Sequence, residues 1–464
     1  MIDPRAALAR GIVDPLFWDV VKRLPVRRRL AEFRRGQWDD RGVFEERRNQ
    51  RLRSLLRHAV SRVPFYRDRA GAMSLDQIDR DPLKALASLP VLTRSDLHEH
   101  FDALSCEMGR GTARNSSGGS TGTPVRFLHD GEYMSAAIAG ERLAFEWAGV
   151  GVGDRVVRLW GAQRDLAGGR LHPRRGLRDR LYNRVVLDAF RMGDAEMADH
   201  LRRINQFRPA CIEAYADAAY ELAVFARRAG ADVRSPGSIL TSAGTLLPHM
   251  RREIEEVFGA PVFDRYGTRE VGAIASECDR HAGLHLVGEC VVVEIVDGGG
   301  QPVPKGHEGE ILVTNLWNYT MPFIRYRIGD VGVWGDEDCA CGRPYPKLAR
   351  VLGRTESRIV RPAGGVILPE FFIHLIGVEY NNGAIRKFQV EQEALDRIVV
   401  RIVPVDGMRD EALAARGEIA RHIADRMGAP CSVEFVVVDE IEPTATGKHL
   451  YTLCRLEPSG RTSR

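Results

Sequence analysis

Residues 115–127 read NSSGGSTGTPVRF, and within 116–123 three glycines are mixed with three serines and two threonines. A backbone this free to turn can aim successive N–H groups and hydroxyls at one anion, so holding a phosphate is the chemistry it suits. The stretch has neither the Lys-Ser/Thr of a Walker A loop nor a GxGxxG pattern, and alone it would equally serve as a surface turn. A second group is Cys278, His285, Cys339 and Cys341. Three thiolates and one imidazole satisfy tetrahedral zinc, and with all four positions filled the ion would be structural. The spacing is not that of a CxxC finger, and His281 or Cys290 could replace one member. The alternative is reduced thiols beside a β-turn. Cys106, Cys211, Cys431 and Cys454 stand in mostly apolar settings and read as packing residues. Near the C-terminus, Pro443-Thr444-x-x-Gly447 makes a turn able to project Lys448.

These groups need elements to position them. The first hundred residues read as helical, with Leu52, Leu55, Leu56, Ala59 and Val60 at helical spacing before Pro64. Thr93 or Ser95 is a candidate cap for the helix that follows. Strand-like runs at 155–160 and 210–215 alternate with helical ones at 195–207 and 217–230. That alternation predicts α/β layers. From residue 290 the texture turns strand-rich, with runs at 290–297, 309–316 and 331–336. After residue 353 a β-β-α-β order, with its helix at 411–428, predicts a small α+β module. The fold class is therefore α/β: a large N-terminal domain at 1–352 with layered sheets, a helical segment at 1–105 and a β-rich part at about 290–350, then a small C-terminal lid domain at 353–464.

Composition narrows the functional classes. The 464 residues are 44% hydrophobic and 28% charged, as in ordinary globular proteins. A balance of 67 basic against 63 acidic residues is too even to imply a nucleic-acid partner. The basic run at 47–57 reads as the solvated face of an amphipathic helix. No stretch approaches the roughly 20 apolar residues of a membrane span. The N-terminus has no apolar signal core, and a cytoplasmic location is expected.

The loop at 115–127 also resembles the phosphate-binding signature of the adenylate-forming superfamily of acyl-CoA ligases, peptide-synthetase adenylation domains and luciferases. Other short segments resemble its pattern in the expected order: SAGTLLP (242–248), YGTRE (266–270), YRIGD (326–330), GRTE (353–356) and PTATGK (443–448). VPFYRDRA (63–70), LPVLTRSDL (89–97) and CACGRPYPKL (339–348) are similar to the phenylacetate–CoA ligase and CapK-like branch. The resemblance runs from about residue 40 to 450. It implies that Ser117, Gly118, Gly119, Ser120, Thr121 and Gly122 hold the phosphates of ATP. It implies that Ser242, Ala243 and Gly244 lie along the adenine and that Tyr266, with Gly267 and Thr268, stacks on it. Glu270 would hold Mg²⁺, Asp330 would take the ribose hydroxyls with help from Arg354, and Lys448 would sit between the acid and the α-phosphate. Glu356 would be the hinge. Arg269 stands where many relatives have Thr or Ser, and could meet the α-phosphate or pair with Glu270. Tyr215, Ala216, Trp160 and Ile274 are candidates for the acid pocket.

The expected activity is conversion of a carboxylic acid, aryl or hydrophobic, to its acyl-AMP with transfer to CoA. The stretch 361–370, RPAGGVILPE, lacks the RGxN-like run of phenylacetate ligases, so an amine acceptor such as an amino sugar or amino acid is the alternative. A non-catalytic nucleotide-binding scaffold is a third reading. Expected cofactors are ATP and Mg²⁺, with structural Zn²⁺ in addition and CoA as co-substrate. A homodimer is compatible with this scheme.

Overall fold

The computed structural model describes residues 3–71, 74–106, 111–116, 125–160, 166–167, 170–171, 173–189, 191–336, 338–354, 359–362, 366–367, 369–442 and 450–456. It divides into two compact units. One holds residues 1–328 and 332–351, the other residues 329–331 and 352–464.

Helices fill the start of the first unit. Thr93 caps the helix Arg94–Glu99 through a reciprocal box with Asp96, which satisfies two otherwise orphaned N–H groups. The long helix Arg41–Arg62 sinks Leu52, Leu55, Leu56 and Ala59 completely. Burying each leucine is worth about 1.5–3 kcal/mol. The same helix corrects the solvated-face reading of its arginines. Arg47 Nη2 lies 2.8 Å and Arg51 Nη2 3.6 Å from the buried carboxylate of Glu289, and the Arg51 guanidinium sits 4.1 Å from the Trp317 ring. These side chains fasten the helix to the sheet rather than coat it.

A two-stranded ribbon pairs β1 (Ala113–Ser116) with β2 (Arg126–His129), antiparallel, so that Ser116 faces Arg126. Among the described residues the main sheet has eleven strands. Its parallel half comprises β3 (Val156–Leu159), β4 (Arg184–Leu187), β5 (Cys211–Tyr215), β6 (Ser238–Ser242) and β7 (Val262–Thr268), in the order β7-β6-β5-β3-β4. The sheet continues beyond β7 through β8 (Gly272–Glu277), β9 (Leu284–Leu286), β10 (Val291–Val296), β11 (Glu308–Asn315), β12 (Tyr326–Trp334) and β13 (Lys347–Arg354), in the order β10-β11-β12-β13-β9-β8-β7. The strand-rich residues from 290 onward thus add strands to the same sheet. The parallel strands are near-continuous apolar runs, as β5 (CIEAY) is, because helices such as Asp194–Phe207 and Ala216–Arg228 pack with them in one core cluster.

The second unit carries a four-stranded sheet ordered β16-β15-β14-β17, with β14 (Ile385–Ala394), β15 (Arg397–Pro404), β16 (Ser432–Val437) and β17 (Thr452–Cys454). β14 and β15 form an antiparallel hairpin, while β16 and β17 join in parallel. The helix expected at 411–428 is two helices, Arg409–Leu413 and Arg416–Met427, because Ala415 leaves helical geometry at φ −92° and ψ 11°. Gly428, at φ +70°, ends the second, a conformation that costs glycine little. Among the described residues no helix is long and apolar enough to cross a membrane.

Candidate active site

The parallel half of the sheet sets out most of the described ATP- and acid-site candidates in one row. Trp160 follows β3, Tyr215 closes β5, and Ala216 opens the next helix. Ser242 closes β6 ahead of Ala243 and Gly244, and β7 runs out through Tyr266, Gly267 and Thr268 into the turn at Arg269 and Glu270. Register aligns them: Tyr215 faces Ser242, and Thr241 faces Asp264, two residues before Tyr266. In open parallel sheets the carboxyl edge of the strands is where ligands bind, since the loops leaving it converge there. Ala243 adopts φ +64°, a left-handed conformation that a residue with a Cβ rarely takes. Strain of this kind, on the order of 1 kcal/mol, gathers at functional sites.

Below this edge lies a buried ion layer that the sequence reading missed. Glu213 on β5 is 2% exposed and pairs with Arg158 Nε at 2.6 Å and Arg265 Nη2 at 2.7 Å. Burial pushes its pKa up, but the two guanidiniums outweigh that and hold the carboxyl below its ordinary range. Arg158 and Glu213 face each other across β3 and β5. Each stands two residues before a candidate, Trp160 or Tyr215, and so shares its face of the sheet. The Arg158 guanidinium is 5.2 Å from the Trp160 ring, and the Trp160 and Tyr215 rings are 4.3 Å apart. A charged residue in each of two otherwise apolar strands, VVRL and CIEAY, was the available signal. Ile274, completely buried on β8, packs in the other core cluster and is not brought to this aromatic pair.

The turn after β7 is held from several sides. A Cβ on Gly267 would meet the Gly272 carbonyl oxygen at 2.6 Å, so only glycine fits there. Val271 N–H donates to Thr268 Oγ1 at 3.3 Å, and Asn315 Nδ2 donates to the Val271 carbonyl at 3.1 Å. His129, at the end of β2, donates Nε2–H to the Glu270 carbonyl at 2.9 Å and accepts Asn115 Nδ2–H at Nδ1, 3.0 Å away. Its ring is stacked on Tyr133 at 3.7 Å. Burial pushes the imidazole down to about 4, so it is neutral at pH 7. His129 thereby ties the ribbon flanking residues 117–124 to the Glu270 turn. Nothing about an isolated histidine after a short strand could have revealed that. The Glu270 side chain is buried, and among the described residues no arginine or lysine pairs with it, while Arg269 is exposed.

Other candidates stand elsewhere. Asp330 is buried on β12, among the residues grouped with the second unit, and Arg354 closes β13. Ser117, Gly118, Gly119, Ser120, Thr121, Gly122, Glu356 and Lys448 lie outside the described residues. A cavity of about 590 Å³ between the helices Asp194–Phe207 and Ala216–Arg228 is lined by Leu201, Asn205 and Phe225 and by none of the candidates.

The cysteine and histidine candidates do assemble. The ligand atoms of Cys278, His285, Cys339 and Cys341 all lie within 4.8 Å of one another. His281 is turned instead to Glu277 Oε2 (3.2 Å) and the Phe263 ring, and the Cys290 thiol is directed at the Ala136 carbonyl at 3.5 Å. Neither joins the group, so the two alternatives fall away.

Comparison with known proteins fits this architecture. Residues 359–453 match the CapK C-terminal domain model. The chain is 25% identical to a phenylacetate-coenzyme A ligase of Thermus thermophilus, over 86% of this chain and 94% of that protein. It is 21% identical to protein CapK of Staphylococcus aureus, over 88% of each. A crystal structure of 2-hydroxyisobutyryl-CoA ligase in the postadenylation state superposes with a TM-score of 0.68 at 20% identity, covering 88% of this chain and 89% of that one. The fold is that of the adenylate-forming ligases. The chain is similar over most of its length to phenylacetate-coenzyme A ligases and to CapK, and its residues 359–453 match the CapK C-terminal domain.

Proposed function

We propose that this protein is an AMP-forming acid ligase that couples a carboxylic acid, aryl or hydrophobic, to the thiol of coenzyme A. The observation that best supports it is the row of candidates at the carboxyl edge of β3, β5, β6 and β7, in a chain homologous to phenylacetate-coenzyme A ligases over most of both lengths.

In the first step a carboxylate oxygen bonds to the α-phosphorus of ATP and the bond to pyrophosphate breaks. Two anions are brought together, so the protein must offset charge and fix geometry more than move protons. Residues 117–122 would hold the departing phosphates. Ser242, Ala243 and Gly244 would line the adenine, and Tyr266 would stack on it. Asp330 would accept the ribose hydroxyls, with Arg354 as a further donor, and Lys448 would place its charge by the acid and the α-phosphate. Glu270 suits a hard cation, being a buried carboxylate with no cationic partner among the described residues. Magnesium bound there would offset the charge of the phosphates. Arg269, exposed beside it, is available to the α-phosphate. Trp160 and Tyr215 offer an apolar, aromatic wall for the acid. In the second step the CoA sulfur attacks the acyl carbon and AMP leaves.

Transfer to an amine is the second reading. It is favoured by the match of residues 359–453, in the unit that would serve the second step, to the CapK C-terminal domain. Incubation with ATP, magnesium and a panel of acids, with CoA or hydroxylamine as acceptor, tests the scheme. An acyl-CoA product detected by mass spectrometry is expected. Hydroxamate without any thioester, from the same acid, would favour the amine reading, and ADP in place of AMP would overturn both.

A further inference from the structure

The four cysteine and histidine side chains take no part in that scheme, yet they are the most tightly gathered set of metal-ligating groups among the described residues. Cys278 directly follows β8, and His285 is the middle residue of β9. Cys339 and Cys341 lie in the connection between β12 and β13. Antiparallel pairing brings them together: Ser276 faces His285 across β8 and β9, and His285 faces Lys347 across β9 and β13.

The separations match those of a metal tetrahedron. With Zn–S near 2.3 Å and Zn–N near 2.0–2.1 Å, a tetrahedral ion sets its sulfurs about 3.8 Å apart and a sulfur and a nitrogen about 3.5 Å apart. The Cys278 and Cys339 sulfurs are 3.8 Å apart, and Cys341 Sγ is 3.3 Å from His285 Nε2. His285, completely buried, directs Nδ1 at the Tyr345 carbonyl, 3.1 Å away. A carbonyl can only accept, so Nδ1 carries the proton and the Nε2 lone pair faces the thiols. This is the tautomer and the outer hydrogen bond typical of a metal-bound histidine.

Three thiolates and Zn²⁺ carry a net charge of −1, and two cationic residues adjoin the group in sequence and register: Arg343, two residues beyond Cys341, and Lys347, opposite His285. The Arg343 guanidinium lies 4.8 Å from the Trp38 ring and 4.9 Å from the Trp147 ring, with Nε donating to Gln37. Lys347 is buried opposite His285. Backbone support is present too, since Arg280 N–H points at the Cys278 sulfur from 3.5 Å.

We propose that Cys278, His285, Cys339 and Cys341 form a closed, structural zinc site that staples the β8–β9 hairpin to the β12–β13 connection. All four positions are protein ligands, so the ion has no open site for chemistry. It holds fixed the loop that leads directly into β13.

The test is elemental analysis of the full-length protein, purified without added metal or chelator. About one zinc per chain is expected. Cys341→Ser and Cys339→Ser should lose it, whereas His285→Cys, which keeps four ligands, and Cys211→Ser, outside the group, should retain it. Replacement by Co²⁺ should give the intense visible bands of a tetrahedral thiolate site and a near-ultraviolet sulfur-to-cobalt band. If the serine variants do not fold, metal content of the wild type and of His285→Cys, with the cobalt spectrum, still decides. Folded protein with less than about one-tenth equivalent of zinc, even after reconstitution under reducing conditions, would overturn the proposal. So would zinc that survives both serine substitutions, or a metal-free chain with Cys278 and Cys339 joined in a disulfide.

Discussion

The carboxyl edge of the parallel strands and the corner built by β8, β9 and the β12–β13 connection belong to the same sheet but are assembled by opposite rules. At the edge, parallel register lines up the ends of neighbouring strands, and the candidates sit on the segments that leave them. The Arg158–Glu213–Arg265 layer and the His129 hydrogen bond hold those segments from below and beside. At the corner, antiparallel register brings residues from distant parts of the sequence face to face, and side chains close on one another. In the proposed scheme the edge receives the ligands, whereas the corner closes on itself. Changes at the edge should therefore remove chemistry and leave the fold. Changes at the corner should weaken the fold and leave chemistry.

The largest effect belongs to Lys448. Lys448→Ala should lower adenylate formation by about 10³-fold, the scale of removing a key electrostatic stabiliser, while transfer from supplied acyl-AMP persists. Equal loss of both steps, measured by single-turnover kinetics, would break the assigned role. Next comes Glu270→Gln, expected to cut turnover by about 10²-fold with little change in melting temperature. A large fall in melting temperature instead would make Glu270 a structural residue and blur the contrast between edge and corner.

At the corner, His285→Ala should show the inverse pattern. Its melting temperature should drop by about 5 °C or more, with turnover of the folded fraction within about twofold of wild type. The smallest effect is a pH slope. Burial, with the Glu277 carboxylate close by, pushes Asp264 up to about 7, from an ordinary 3.8. The folded chain therefore holds this proton more tightly than the unfolded chain. The resulting stability is complete below about pH 4 and is lost as pH rises through 7. Asp264→Asn should flatten that window and be more stable than wild type at pH 8 in urea titrations. An unchanged slope would mean Asp264 ionises normally.

Much of this was legible in sequence, for identifiable reasons. Thr93 stands three residues before Asp96 and reads directly as a cap. The leucines of Arg41–Arg62 repeat at helical spacing, so that helix was expected. Cys278, His285, Cys339 and Cys341 were recognisable by residue type, but their meeting depends on strand order, which local pattern does not contain. The same limit hid Glu213, Arg158 and His129. Glu213 has its partners Arg158 and Arg265 at 55 and 52 residues' separation, and His129 meets Glu270 across 141. Arg47 and Arg51 misled because a charged side chain normally seeks water, and only the presence of Glu289 and Trp317 beneath them makes burial favourable.

Isotope exchange between labelled pyrophosphate and ATP tests the central claim most directly, because it requires a reversible acyl-AMP and nothing downstream. The account predicts exchange that depends on one class of carboxylic acid and on magnesium, and that disappears in Lys448→Ala. Protein that binds ATP yet exchanges no pyrophosphate with any acid on a broad aryl and aliphatic panel would contradict it.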